Sequence, residues 1–175
     1  MKSTLSVPFL FLLQSFLVSG QNKPKDVAIS EASFKTISLK GAPDFLAADG
    51  DNVWVLNRGR IEKLSARSMK VVLTVPIPGA CGAMVVGYNS VWVACCRENS
   101  VYRIDNRSGK ILAMIPSGVS DVHGEISLAI GDRSVWILSD SSGILTRIDP
   151  KSNSVQAKIA VMANSYCAVY GFNSV

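Results

Sequence analysis

Asp121, His123 and Glu125 stand at alternate positions in the segment PSGVSDVHGE. In an extended chain alternate side chains point the same way, so two carboxylates and an imidazole would share one side. Such a set can take a divalent cation, or serve as acid and base near neutral pH. His123 is the single histidine among 175 residues, and no zinc-ligand spacing, phosphate loop or nucleophile elbow accompanies it. The plain alternative is a polar loop with a surface histidine. Arg58, Arg97, Glu98 and Asp140 form a second group, each in a short segment of turn residues. They are ligand-binding candidates against the ordinary reading of charged loop tips. No complete catalytic set is visible, so catalytic residues stay unassigned.

What must position these residues is a repeat. Three segments align in one register: LAADGDNVWVLNRGRIEKLSARSMKVVLTVP from Leu46, MVVGYNSVWVACCRENSVYRIDNRSGKILAMIP from Met84 and LAIGDRSVWILSDSSGILTRIDPKSNSVQAKIA from Leu128. A fourth begins as AVYGFNSV at Ala168. The marker valines are Val53, Val91, Val135 and Val175, a period of roughly 40 residues that belongs to propeller blades. Within each unit, four short apolar runs alternate with Gly, Asn, Asp, Ser and Pro, the signal of successive antiparallel strands. In the second unit the strands are expected near Ala83 to Val86, Val91 to Cys96, Ser100 to Ile104 and Lys110 to Ile115. The expectation is an all-β chain: a β-propeller of four-stranded antiparallel blades, about three blades and the start of a fourth.

The expected divisions are a signal peptide at 1–20, a linker at 21–33 and a partial propeller at 34–175. Within the last lie a lone outer strand at 34–39, blades at 44–76, 82–116 and 125–161, and the start of a fourth at 166–175. The segment at 34–39 resembles a fourth strand and is expected to complete a last blade, with the remaining blades beyond Val175. In a propeller the connections between second and third strands, and those between blades, emerge at one edge. All seven charged candidates belong to that edge. The connection before Val135 is longer by four residues than those before Val91 and Val175, and the additions fall around Asp121 and His123. Trp54, Trp92 and Trp136 follow the marker valine in every unit, which points to packing between blades rather than to ligand stacking.

With the first turn of the second unit centred between Tyr88 and Asn89, residues equidistant from that centre face each other. Cys81 then lies opposite Cys96. A bridge between them would stabilise by ~3 kcal/mol, and a one-residue shift would make Cys95 the competitor. Cys167 is expected to pair beyond Val175 or to remain a thiol. Asn106-Arg107-Ser108 matches a glycosylation sequon, a short motif common by chance.

Lys2, an apolar run from Leu5 to Val18 and small residues at Ser19 and Gly20 make a signal peptide cleaved before Gln21. Secreted or periplasmic localisation follows, a compartment in which disulfides persist. No later run is long and apolar enough to span a bilayer. The net charge of +5 is spread along the chain, without the basic and aromatic interleaving of a nucleic-acid face. Nucleic acid is therefore not an expected partner.

The strings ACGAMVVGYNSVWVACC, NSVYRIDNRSGKILAMIP and GDRSVWILSDSSGILTRIDPKSNSVQAKIAV resemble secreted bacterial propellers of the YVTN-repeat type, related to the streptogramin-lyase group. The resemblance covers residues 44–175. It implies a central channel, seven blades and ligands gathered on one face. Streptogramin lyase opens a cyclic ester by elimination with histidine, glutamate and magnesium. Its catalytic positions fall in later blades, so none carries over to this sequence. The matching residues are turn and packing residues, specific for fold and poor for function. The leading expectation is a noncatalytic module that binds a small molecule, a cell-wall component or a protein. The alternative is a metal-dependent lyase or hydrolase like streptogramin lyase. No cofactor is evident beyond a candidate divalent cation, and the tryptophan-docking pattern of quinone-dependent dehydrogenase propellers is not seen.

Overall fold

The computed structural model describes residues 28, 36–118, 126–138 and 142–175. Contacts divide the chain into Met1–Thr36 and Ile37–Val175, and the architecture below is that of the second unit. The signal segment and the linker lie outside the described residues, apart from Ala28.

Twelve strands form three antiparallel sheets, each with its strands in chain order. The first contains β1 (Leu46–Asp49), β2 (Asn52–Asn57), β3 (Arg60–Ser65) and β4 (Lys70–Pro76). The second contains β5 (Ala80–Gly87), β6 (Ser90–Cys95), β7 (Ser100–Asp105) and β8 (Ile111–Pro116). The third contains β9 (Ser127–Gly131), β10 (Ser134–Leu138), β11 (Ile144–Asp149) and β12 (Ser154–Ala160). Two-residue turns join β5 to β6 and β9 to β10, through Tyr88-Asn89 and Asp132-Arg133. All four residues have positive φ between 47° and 56°, the conformation whose twist matches that of a tight hairpin.

Alternation along β6 explains why its residues are nearly all apolar. Val91, Val93 and Cys95 point towards the first sheet and join Trp54, Leu56 and Ile61 there. Trp92 and Ala94 point the other way and join Ile126, Leu128, Val135 and Ile137 of the third sheet. Both faces are covered, so every residue of β6 is buried. The outermost strands β4 and β8 are largely exposed instead. Each tryptophan faces the sheet that follows its own. Trp54 and Trp92 are fully buried, and Trp136 packs with Ala129, Leu138, Leu145 and Ala168. The approach is close enough to select glycine: a Cβ on Gly87 would lie 2.7 Å from Ile130 of the next sheet.

One boundary differs from the sequence reading. β5 starts at Ala80, before the expected 82, because the connection from β4 is very short and its chain pairs at once with Cys95. Residues 36–39 are in no strand, while Phe34 and Lys35 lie outside the described residues. The main chain that follows is held by a side chain rather than a ladder. Asn57 Oδ1 accepts from the Ala42 N–H, and its Nδ2 donates to the Lys40 carbonyl, both at 2.8 Å.

Asp49 links two sheets. It receives Lys63 at 2.9 Å, the Trp54 indole N–H at 3.1 Å and Asn106 Nδ2 of the second sheet at 3.2 Å. Burial raises its pKa, but these hydrogen bonds and the Lys63 charge outweigh that and hold the carboxyl below its ordinary range. A lowered folded-state pKa gives stability that is present above about pH 4, the unfolded value, and is lost as pH falls through the folded one. Asp49→Asn should therefore be less stable than wild type at pH 7, with the gap closing as the medium is acidified. Urea titrations at several pH values check this, and a gap independent of pH would contradict it.

Candidate ligand-binding face

The two edges of the sheets use their polar residues differently. At one edge lie the turns from first to second and from third to fourth strand, where the aspartates are engaged while Arg107, Arg133 and Lys151 are exposed. Asp105 Oδ1 accepts the N–H groups of Arg107 and Ser108 at 3.1 and 2.7 Å, and Asp149 Oδ1 accepts that of Lys151 at 2.8 Å. Main-chain hydrogen bonds from Ser108 and from Lys151 hold the two carboxyls below their usual pKa. Asn106, the sequon asparagine, belongs to this edge with its amide committed to Asp49.

At the other edge the turn from second to third strand meets the connection into the following sheet. The Ile77 N–H donates to the Gly59 carbonyl at 2.9 Å, Cys96 to Gly79 at 3.1 Å, Ser117 to Asn99 at 3.2 Å and Val161 to Gly143 at 2.8 Å. The Ile77, Ser117 and Val161 bonds repeat one pairing in each sheet, and the Cys96 bond joins the second sheet's turn to the connection that precedes it, so these segments form a rim. Arg58, Arg97 and Glu98 sit on it, all exposed. Arg58 and Arg97 make no ion pair or side-chain hydrogen bond to another described residue. Asp121, His123, Glu125 and Asp140 lie outside the described residues. Among the described residues no three histidine, cysteine or carboxylate side chains converge as a metal site.

Two buried groups under the rim escaped the sequence reading. Asn57 is fully buried and donates to Glu62 Oε2 at 2.9 Å, while Arg60 pairs with Glu62 Oε1 at 3.0 Å. Burial raises the Glu62 pKa, but the bonds from Arg60 and Asn57 outweigh it and leave a carboxylate below its usual range. With its contacts to residues 40 and 42, this cluster fixes the turn that presents Arg58. A polar residue ending an otherwise apolar strand was the available signal.

Cys81 and Cys96 form a disulfide with Cα atoms 5.7 Å apart. Their opposition is not the simple one of equidistance from the turn. The ladder holds that register from Gly87 to Met84, then shifts at a bulge so that Ala80 pairs with Cys95. The bridge spans the bulge and ties the rim connection to the turn bearing Arg97 and Glu98. Cys95 points to the opposite face, buried, with its thiol donating to Glu98 Oε2. Burial and the Glu98 carboxylate push its pKa up to about 11, so at pH 8 only about one thiol in a thousand is thiolate. Cys167 is free and exposed. Iodoacetamide at pH 8 should thus label Cys167 alone in the native protein and Cys95 only after unfolding, as peptide mass mapping would show. Native labelling of Cys95 at a comparable rate would refute its burial.

No family model matches the chain, and no curated protein matches it in sequence. Solved structures do match. The chain is similar to a streptogramin B lyase structure over 77% of its own length and 47% of that chain, with a TM-score of 0.63 and 18% identity. It is similar to virginiamycin B lyase from Staphylococcus aureus over 80% and 50%, with a TM-score of 0.62 and 14% identity. BamB from Moraxella catarrhalis aligns over 70% and 38%, at 0.58 and 17%. These structures and the three four-stranded antiparallel sheets agree. The chain folds as part of a β-propeller. It spans half or less of the length of these propellers. At such identities the likeness establishes fold alone, and the sheets are hereafter blades. The disulfide, and the absence of any described helix long and apolar enough to cross a membrane, are compatible with an extracellular or periplasmic protein.

Proposed function

We propose that the chain belongs to a secreted propeller that binds a ligand or a protein through the rim bearing Arg58, Arg97 and Glu98, the edge to which the repeat register also assigns Asp121, His123, Glu125 and Asp140. The carrying observation is that Arg58 and Arg97 are exposed, without an ion pair or side-chain hydrogen bond to another described residue, on the rim where the second-to-third-strand turns meet the connections between blades. Guanidinium groups recognise carboxylate and phosphate through paired N–H donors. A ligand presenting such groups, as an anionic cell-wall polymer does, suits them best. The protein should co-sediment with purified cell-wall sacculi, and an Arg58→Glu, Arg97→Glu double variant should lose about tenfold in affinity, a loss of the size expected when rim charges are reversed. Equal sedimentation of the two proteins would reject the reading.

A second reading rests on the fold shared with two lyases and on the residue types near His123. An imidazole and two carboxylates are a donor set that divalent cations accept. On this reading the protein opens a cyclic ester such as virginiamycin B, and chelator or His123→Ala abolishes the reaction. An unchanged rate in chelator would eliminate it.

A further inference from the structure

A basic residue recurs on the third strand of every blade, opposite the tryptophan: Lys63 beside Trp54, Arg103 beside Trp92 and Arg147 beside Trp136. Each cation lies over its indole, 5.1 to 5.4 Å from the ring centroid. Two of the three reach into the next blade and meet the same group there. Lys63 Nζ donates to the Asn106 carbonyl at 2.7 Å. Arg103 Nη1 donates to the Pro150 carbonyl and, at 2.8 Å, to Asn153 Oδ1. Asn106 and Pro150 are equivalent, each following the aspartate that ends a third strand, Asp105 or Asp149. The aspartate folds the turn, and the next residue offers its carbonyl to the cation of the preceding blade.

Arg147 is set up in the same way. Its Nε donates to Ser134 Oγ at 2.8 Å, as that of Arg103 does to Ser90 Oγ at 2.9 Å, and its Nη2 meets Asp132 at 3.3 Å. Nη1 makes no hydrogen bond to a described residue. In front of it lies a cleft of about 310 Å³ lined by Arg133, Ser134, Arg147, Asp149, Lys151 and Gln156. The same face of blade 3 has already received the beginning of a further unit. Phe172 and Asn173 adopt positive φ of 49° and 58°, and Gly171 and Ser174 pair across them, reproducing the first turn of blades 2 and 3. Tyr170 lies where a Cβ of Gly131 would be, as Ile130 does against Gly87.

We propose that the cleft at Arg147 is the seat for the third-to-fourth-strand turn of a fourth blade. Its specific ligand is the main-chain carbonyl that follows that turn's aspartate. The occupant that fits is a blade of this same repeat, because the turn at residues 171–174 fixes where such a blade lies against blade 3.

The test compares the full chain with a version in which residues 136–161 are repeated after Val175, so that Val175 takes the place of Val135. In the unextended chain, Arg103→Ala should lower the urea midpoint, and Arg147→Ala should lower it by clearly less, since it loses only the contacts to Ser134, Asp132 and Trp136. In the extended chain, Arg147→Ala should lower the midpoint by as much as Arg103→Ala. Arg147→Lys should recover part of the loss, since Lys63 serves in blade 1. An extended chain indifferent to Arg147→Ala overturns the proposal. So does an extension that adds no exchange-protected amides, for the seat would then reject a blade of its own repeat. A concentration-dependent loss from Arg147→Ala in the unextended chain would assign the seat to a second copy, and also overturns it.

Discussion

Trp92→Ala is expected to lower the free energy of unfolding by about 3–5 kcal/mol, the cost of removing a large aromatic from a packed interior. Trp92 is fully buried, packs against Ile126, Leu128, Val135 and Ile137 of blade 3, lies under Arg103 and donates its indole N–H to the Gly87 carbonyl at 3.1 Å. Truncation leaves a cavity between two blades and an unsatisfied carbonyl. Neither neighbour can collapse into the gap, because the hairpins on both sides hold their separation. Trp136→Ala should cost less, since the cluster around it in this chain is smaller and the residue is 8% exposed. Urea unfolding of both variants checks the order. A loss at Trp92 below about 1 kcal/mol, typical of a surface change, would mean that the repeated tryptophan is not what joins the blades.

The second large effect belongs to the disulfide. A Cys81→Ser, Cys96→Ser double variant should lose about 3 kcal/mol, the chain-entropy value for a closed loop of about 15 residues, matching the sequence separation of 15. Reductant should bring wild type down to the level of the variant and leave the variant unmoved. The bridge also crosses the bulge between Ala80 and Met84, so its loss should loosen the rim turn at Arg97 and Glu98. Faster amide exchange there than at Arg58, which Asn57 supports from below, would be the local signature. Identical stability with and without reductant would contradict a stabilising role.

How much of this was legible in the sequence depends on whether a feature recurs. The Val-Trp marker and the turn residues recur in every unit, and they give the all-β class, the strand count per blade and the interior position of the tryptophans. The cations opposite those tryptophans recur too. Their role escaped notice because it lies between units: Arg103 meets Pro150, 47 residues away, and no pattern within one repeat shows it. Features present once were harder. The bulge that brings Cys81 to Cys96 has no local signal, and Asn57 reads as a turn residue although it is fully buried. The side chain of Asn57 binds the main chain at residues 40 and 42, a contact that no repeat pattern announces. For the candidate site, the sequence indicates an edge and three of its exposed side chains, Arg58, Arg97 and Glu98. Asp121, His123, Glu125 and Asp140 lie outside the described residues, and no ligand follows from charge alone.

The central claim is that Arg58 and Arg97 carry no structural contact whereas the cation opposite the tryptophan joins two blades, and thermal unfolding of two proteins tests it. Arg58→Glu, Arg97→Glu alters only exposed, uncommitted rim charge, whereas Arg103→Ala removes hydrogen bonds to Ser90, Tyr88, Pro150 and Asn153. Bonds from a charged donor are each worth about 1.5–3 kcal/mol, and 1 kcal/mol moves the midpoint of a domain of this size by about 2–8 °C. The rim variant should melt with wild type and Arg103→Ala at least several degrees lower. Equal losses in both, or a loss confined to the rim variant, would contradict the reading of Arg58 and Arg97 as free of structural contacts and of Arg103 as a link between blades.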